Sequence, residues 1–215
     1  MYTEIPMAPE VKENDHIRFV KSRPYRMVRR AELVDGTRQR IVEAAVELHT
    51  TIGPAHTTIS ALAETAGVTR VTVYRHFPDE DELFAACRNH WIERHPPPDL
   101  LRWQTLPSPQ ERLRRALRDL YGWYRRHGDE LFPIHRDATT MPESVREAMR
   151  AADERMAGAL ISGVGGRGRA SRRLQAAARH VVSFGTWRSL AIDQGLSDSE
   201  AAELATRFVA CTEGR

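Results

Sequence analysis

The sequence of 215 residues contains only two cysteines, Cys87 and Cys211, which fit neither a paired metal-ligand motif nor a disulfide framework. No apolar run approaches the roughly 18 residues that a membrane span requires. The first ten residues, MYTEIPMAPE, carry acids and prolines where a secretory leader would have a basic start and an apolar stretch. A reduced, cytoplasmic location with no membrane partner is the simplest expectation. Catalytic signatures are missing as well. There is no His-Glu-x-x-His and no Gly-x-Ser-x-Gly. His90 and His95, five apart, are poorly placed to share a helical face. Ile134-His135-Arg136-Asp137 has the look of a kinase catalytic loop, but no Gly-rich nucleotide loop or Asp-Phe-Gly accompanies it. The glycines of GVGGRGRAS (163–171) have no strand before them and no Lys-Ser/Thr after them, so they read as a plain loop. No enzyme, cofactor or metal site is expected.

What is present is charge of uneven placement and abundant helix signals. The net charge of +3 conceals eight basic residues against two acidic ones between His16 and Arg40, an excess of +6 that leaves −3 for the remainder. A basic front on a mildly acidic body suits a polyanion partner, although a solvated tail has the same composition. After Val34 the periodicity is helical. Thr37 to Leu48 has Ile41, Ala44, Ala45 and Leu48 at spacings of three and four, and Gly53-Pro54 closes it. Asp79 caps a helix, with Glu82 as its capping-box partner, that runs to about His95 and stops at three prolines. Ser108-Pro109-Gln110-Glu111 opens another, expected to end near Gly128. Later helices are expected from Thr140–Glu143 to about Ile161, from about Arg172 to Gln194, and from Ser197 to Cys211. The chain reads as all-α.

One stretch resists. AGVTRVTVYRHF (66–77) has the β-branched and aromatic composition of a strand, yet follows a helical segment after a single glycine. Read as helix, turn and helix, it becomes consistent. Thr58 caps Ile59 to Ala66, Gly67 permits a positive φ, and Thr69 caps the second helix. Val73 and Phe77 then fall four apart on the core side, leaving Arg70, Val71, Thr72, Tyr74 and Arg75 outward. The β-branched residues cost a few tenths of a kcal/mol each in a helix, which packing readily overrides. The outward set suits DNA: Thr69, Tyr74, Arg75 and His76 for phosphates, Arg70 for guanine, and the methyls of Val71 and Thr72 for thymine.

The pieces Arg-Ile-x-x-Ala-Ala, Thr57-Thr58, Ala66-Gly67-Val68-Thr69, Val73-Tyr74-x-His76-Phe77 and a closing Asp-Glu-Leu lie together in Thr37 to Cys87. This run resembles the DNA-binding domain of the tetracycline-repressor (TetR) family. The resemblance implies that Thr58, Thr69, Tyr74 and His76 hold phosphates and that Arg70, Val71 and Thr72 read or shape base contacts. Two positions depart from the family pattern: Val71 stands where a small residue is common, and Glu80 where a phosphate-contacting lysine is usual. The implied organisation is a flexible basic arm (1–34), a three-helix helix-turn-helix domain (35–80), and a larger helical domain for effector binding and dimerisation (81–215). The implied partners are a palindromic double-stranded DNA operator, a second copy of the chain, and an unidentified small-molecule effector. Candidate effector-pocket residues are Trp91, Trp103, Tyr121, Tyr124, Phe132, His135 and Trp187, with Trp123, His127, Arg136 and Asp137 as further material. The implied activity is that of a repressor released or modulated by the effector. A helical DNA-binding protein without an effector, architectural or partner-controlled, is the alternative.

Overall fold

The structure, a computed structural model, describes residues 23–162 and 169–212. Ten α-helices run through them, and no strand occurs among the described residues. They are α1 (Arg23–Thr51), α2 (Ile59–Thr65), α3 (Arg70–His76), α4 (Glu80–Arg94), α5 (Leu100–Gln104), α6 (Pro109–Arg136), α7 (Glu143–Leu160), α8 (Arg169–Val182), α9 (Phe184–Arg188) and α10 (Asp198–Ala210). The chain divides into compact units at residues 1–37 and 38–215. Of the first unit, the described part is the opening turns of α1; all packing that follows belongs to the second.

Two apolar clusters organise residues 38–215. Ile41 and Ala45 of α1, Leu62 of α2, Val73 of α3, Phe77, and Leu83 and Cys87 of α4 form one. The other is built around Leu117, Leu120 and Tyr121 of α6, with Leu160 of α7, Val181 of α8, Trp187 of α9 and Val209 of α10. Each cluster contains fully enclosed side chains, where burial of one Leu or Val contributes about 1.5–3 kcal/mol.

Several helix boundaries differ from the sequence expectation, each for a physical reason. Helix α1 begins at Arg23 rather than Thr37. Pro24 occupies its second position, where the missing N–H costs nothing. The expected flexible arm of residues 1–34 is thus helical from Arg23 on, and residues 1–22 lie outside the described residues, as do 163–168 of the expected glycine loop. Helix α6 does not stop at Gly128 but continues to Arg136. Gly128 serves packing instead: a Cβ there would lie 2.7 Å from Cη2 of Trp187. Helix α5, with Asp99 as its cap, was not anticipated at all.

The long helix expected from Arg172 to Gln194 is broken at Ser183, whose backbone is extended and whose hydroxyl caps α9 by accepting from Thr186 N–H. The break frees carbonyls at the end of α8. Tyr121 Oη donates to Val181 O at 2.9 Å and Tyr124 Oη to Val182 O at 2.7 Å, so two α6 hydroxyls satisfy what the helix no longer does. Leu174, Ala178, Val181, Val182, Phe184 and Trp187, which the sequence spreads over more than one helical side, are all buried within the chain's own core. In α10 the apolar residues Ala201, Leu204, Ala205 and Phe208, spaced three and four apart, do not share one environment. The two alanines face the core, while Leu204 and Phe208 are 48% and 50% exposed.

Candidate nucleic-acid interface

The turn at residues 66–69 folds as its residues require. Gly67 has φ +63, in the left-handed region that glycine adopts freely, and Val68 N–H donates to Ala63 O at 2.9 Å. Thr58 Oγ1 accepts from Ala61 N–H and Thr69 Oγ1 from Thr72 N–H, so both helices start on a threonine cap. Val73 and Phe77 anchor α3 in the core.

The rest of α3 faces outward. Val71 is 76% exposed and Tyr74 51% exposed, and Arg70 and Arg75 are exposed beside them. Arg70, Tyr74 and Arg75 make no hydrogen bond or ion pair among the described residues, so their polar groups are available to a partner. Thr69 and Thr72 share a hydroxyl–hydroxyl bond of 2.9 Å, which uses one of their two protons and leaves the other. The half-buried His76 ring has its pKa lowered by partial burial, then by Arg75 and Arg38, so near neutral pH it offers a neutral ring rather than a full charge. A neutral ring still donates one N–H. A large apolar side chain so exposed in the middle of a helix has no role in the fold. It suits contact with a methyl-bearing base edge in a major groove.

Arg38 was counted in the sequence as part of a basic patch, but its guanidinium is consumed internally. It lies 4.0 Å over the Phe77 ring, donates to His76 O at 2.8 Å and pairs with Glu82 at 2.9 Å. It therefore fixes the end of α3 against α1 and α4, and Glu82 serves this contact rather than a capping box. Asp79 instead caps α4 by accepting from Asp81 N–H. Glu80 sits exposed in the first turn of α4, suited to the helix dipole.

Behind this domain, α1, α4, α6 and α7 enclose a largely apolar cavity of about 340 Å³. Trp91, Tyr124 and His135 of the expected pocket line it, with Trp123 beside them. Trp103, Tyr121 and Trp187 lie in the core instead, each using its polar atom internally: Trp103 Nε1 donates to Asp119, Tyr121 to Val181 O and Trp187 Nε1 to Asp198. Phe132 packs at the core edge under the Arg188 guanidinium, 3.9 Å from its ring centroid. His49 and Asp153, not anticipated, also line the cavity. His49 stacks on Phe84 at 4.8 Å, and His135 on Phe184 at 4.5 Å. Burial pushes the pKa of each ring down to about 4, so both are neutral. Burial also raises the Asp153 carboxyl to about 6, and no hydrogen bond or ion pair holds it among the described residues. A lone acid in apolar surroundings carries no motif, which is why sequence reading missed it.

Arg136 and Asp137 do not line the cavity; they latch α6 to the loop between α1 and α2. Asp137 accepts from Ala55 N–H at 3.1 Å and from Arg136 Nε at 2.7 Å, and Arg136 Nη2 donates to Ile52 O at 2.8 Å. The Arg136 hydrogen bond is the main cause that lowers the Asp137 pKa. Gly53 makes this possible. Its φ is +96, and a Cβ would lie 2.2 Å from Asp137 Oδ2.

The fold and this exposed helix define a helix-turn-helix module. Residues 41–87 match the family model for bacterial regulatory proteins of the tetR family. The chain is 43% identical over 70 residues to the HTH-type transcriptional regulator TtgR of Pseudomonas putida, covering 32% of this chain and 33% of that protein. It is 36% identical over 83 residues to the nucleoid occlusion factor SlmA of Marinobacter nauticus, covering 39% of this chain and 40% of that protein. The matched stretches thus span a third to two fifths of the length of these curated relatives. A TetR-like transcriptional regulator from Rhodococcus sp. RHA1 shares the fold, with a TM-score of 0.53 at 24% identity over 81% of this chain and 93% of that one. Over residues 41–87 the chain is thus similar to bacterial regulatory proteins of the tetR family, and its described residues share the fold of a solved TetR-like regulator. No helix among the described residues is long and apolar enough to cross a membrane.

Proposed function

We propose that the chain is a cytoplasmic, sequence-specific DNA-binding repressor that reads a palindromic operator as a homodimer and is released by a small molecule. The observation that carries this reading is the outward face of α3, where exposed Val71 and Tyr74 stand among cations that make no ion pair within the fold. Arg70, Val71 and Thr72 would meet base edges, and Thr58, Thr69, Tyr74, Arg75 and His76 would hold phosphates. Glu80 replaces a phosphate-contacting group with a repelling one, and the basic residues from Arg18 to Arg30 would compensate. Deleting residues 1–30 would then lower affinity and flatten its salt dependence.

The homodimer reading is supported by Leu204 and Phe208, which lie one turn apart on α10 and are half exposed. An isologous pairing of this face would place two copies of α3 on two half-sites. Leu204→Glu with Phe208→Glu would convert the dimer to monomer in sedimentation and weaken operator binding.

The cavity supports the effector reading because its lining includes Val46, His49 and Thr50 of α1 and Phe84 of α4, the helices that hold α2 and α3. A ligand that separates α4 from α6 shifts the reading domain, and a differential affinity of about 1–3 kcal/mol is enough for a useful switch. The walls call for an apolar, aromatic ligand, and Asp153 for a cationic or hydrogen-bond-donating group on it. A regulator with no small-molecule effector is the second reading, favoured by the likeness to a protein named as a nucleoid occlusion factor.

The test is selection of bound sequences from a random duplex pool by the full-length protein near physiological salt. Enrichment of a palindrome with half-sites about one helical turn apart is expected, and Arg70→Ala would relax one base position. Unenriched DNA would contradict sequence-specific reading. With the operator in hand, aromatic cations that leave its affinity unchanged at fixed salt would decide for the second reading.

A further inference from the structure

We infer that His95, His127 and Glu130 form a binding site for a divalent zinc-type ion at the junction of α4 and α6. His127 and Glu130 are three apart on α6 and so share a face. His95, the residue that ends α4, is brought to them by the fold although it lies more than thirty positions earlier. One ligand atom from each lies within 4.8 Å of the others. Ligands on a tetrahedral ion with bonds of about 2.0–2.1 Å stand roughly 3.3 Å apart, so side-chain rotation of about an ångström closes the set. Two imidazoles and one carboxylate form the donor set that zinc favours at sites with an open fourth position.

The surroundings orient these ligands as metal sites require. His95 Nδ1 lies 3.0 Å from Trp91 O. A carbonyl can only accept, so Nδ1 carries the proton and Nε2 the lone pair, the tautomer a metal needs. Trp91 Nε1 donates to Glu130 Oε2 at 2.6 Å and leaves Oε1 free. Trp91 therefore acts twice as an outer partner, once through its backbone and once through its indole. The His127 ring lies 4.7 Å from that of His95 and 5.6 Å from that of Trp91. It has no hydrogen bond among the described residues. Ring packing accounts for the proximity of the two histidines and the Trp91 indole for one Glu130 oxygen, so the site is carried by the approach of one ligand atom from each of the three residues to within 4.8 Å.

A bound ion would tie the far end of α4 to α6. The same helix contributes Leu83 and Cys87 to the core that supports α3, so metal occupancy would limit the movement of α4. Trp91 and Glu130 also line the cavity, placing the ion at its edge.

The experiment is calorimetric titration of metal-stripped, full-length protein with Zn²⁺, repeated with Co²⁺ to read the strong visible absorption of low-coordinate cobalt. One ion per chain with micromolar or tighter affinity is expected, weakened about tenfold or more in His127→Ala and in Glu130→Gln. The Gln variant keeps the acceptor for Trp91 Nε1 and carries the test if His127→Ala does not fold. Absence of saturable binding overturns the inference. So does binding that survives both substitutions, which would place the ion elsewhere, for example near the exposed Cys211. The readout contains no DNA, so failure here leaves the reading of α3 untouched.

Discussion

Helix α3 has seven residues and buries one of them, Val73, whereas α6 has 28 and buries eight. The short helix is held locally, by a threonine cap and an anchor at either end, and turns most of its side chains away from the protein. The long one is held by residues far away in sequence. Its tyrosines satisfy carbonyls at the end of α8, its glycine admits Trp187, and Arg112 near its start donates to Trp103 O, Leu106 O and Ser162 O. The contrast separates a helix whose side chains mostly face outward from one whose side chains hold the core together. Asp137, the cap residue of α6, ties that helix to the loop between α1 and α2.

The largest effect is expected from breaking that tie. Gly53→Ala places a side chain at φ +96 and drives its Cβ into Asp137. Backbone strain alone is worth roughly 1–3 kcal/mol, and the clash adds to it. A stability loss of about 3 kcal/mol in denaturant unfolding is expected, together with altered operator affinity.

A comparable effect should come from acid. His49 and His135 have folded pKa values near 4. The unfolded chain binds more protons, so their stabilisation is complete above pH 6.5 and falls as pH drops toward 4. Each histidine contributes a slope of up to about 1.4 kcal/mol per pH unit. Asp153, raised to about 6, acts oppositely below that pH because the folded state keeps its proton. The net loss between pH 7 and 4.5 is about 3 kcal/mol. His135→Gln should remove roughly half of the histidine slope in melts recorded across that range.

A smaller loss is expected on the α6 side alone. Gly128→Ala meets the Trp187 ring rather than backbone, and overpacking of this kind costs about 1–3 kcal/mol. Thermal melts should show it, while the intrinsic preference of the protein among DNA sequences stays the same.

The same contrast explains what the sequence discloses. Thr58, Gly67 and Thr69 do their work within a few residues, so the helix-turn-helix is legible without coordinates. The capping box of Ser197 and Glu200 is equally local. Gly128 is misleading because glycine as a helix stop and glycine as a packing notch look alike until Trp187 is placed. The break at Ser183 is hidden for a related reason, since it depends on two tyrosines some sixty residues away. Of the cavity, the aromatic material is visible in composition. Whether a given ring lines the space, as Trp91 does, or fills the core, as Trp103 does, depends on contacts between helices. His49 and Asp153 give no sequence signal because their significance lies in burial.

The most direct measurement is an anisotropy titration of the selected operator duplex by wild type and by Tyr74→Ala at one fixed salt, with melts of both proteins alongside. If the outward face of α3 is the reading surface, affinity falls by about tenfold or more on every sequence tested. The melting midpoint stays put, because the Tyr74 side chain is half exposed and holds nothing in the fold. Equal affinities for the two proteins, with both folded, would contradict the account.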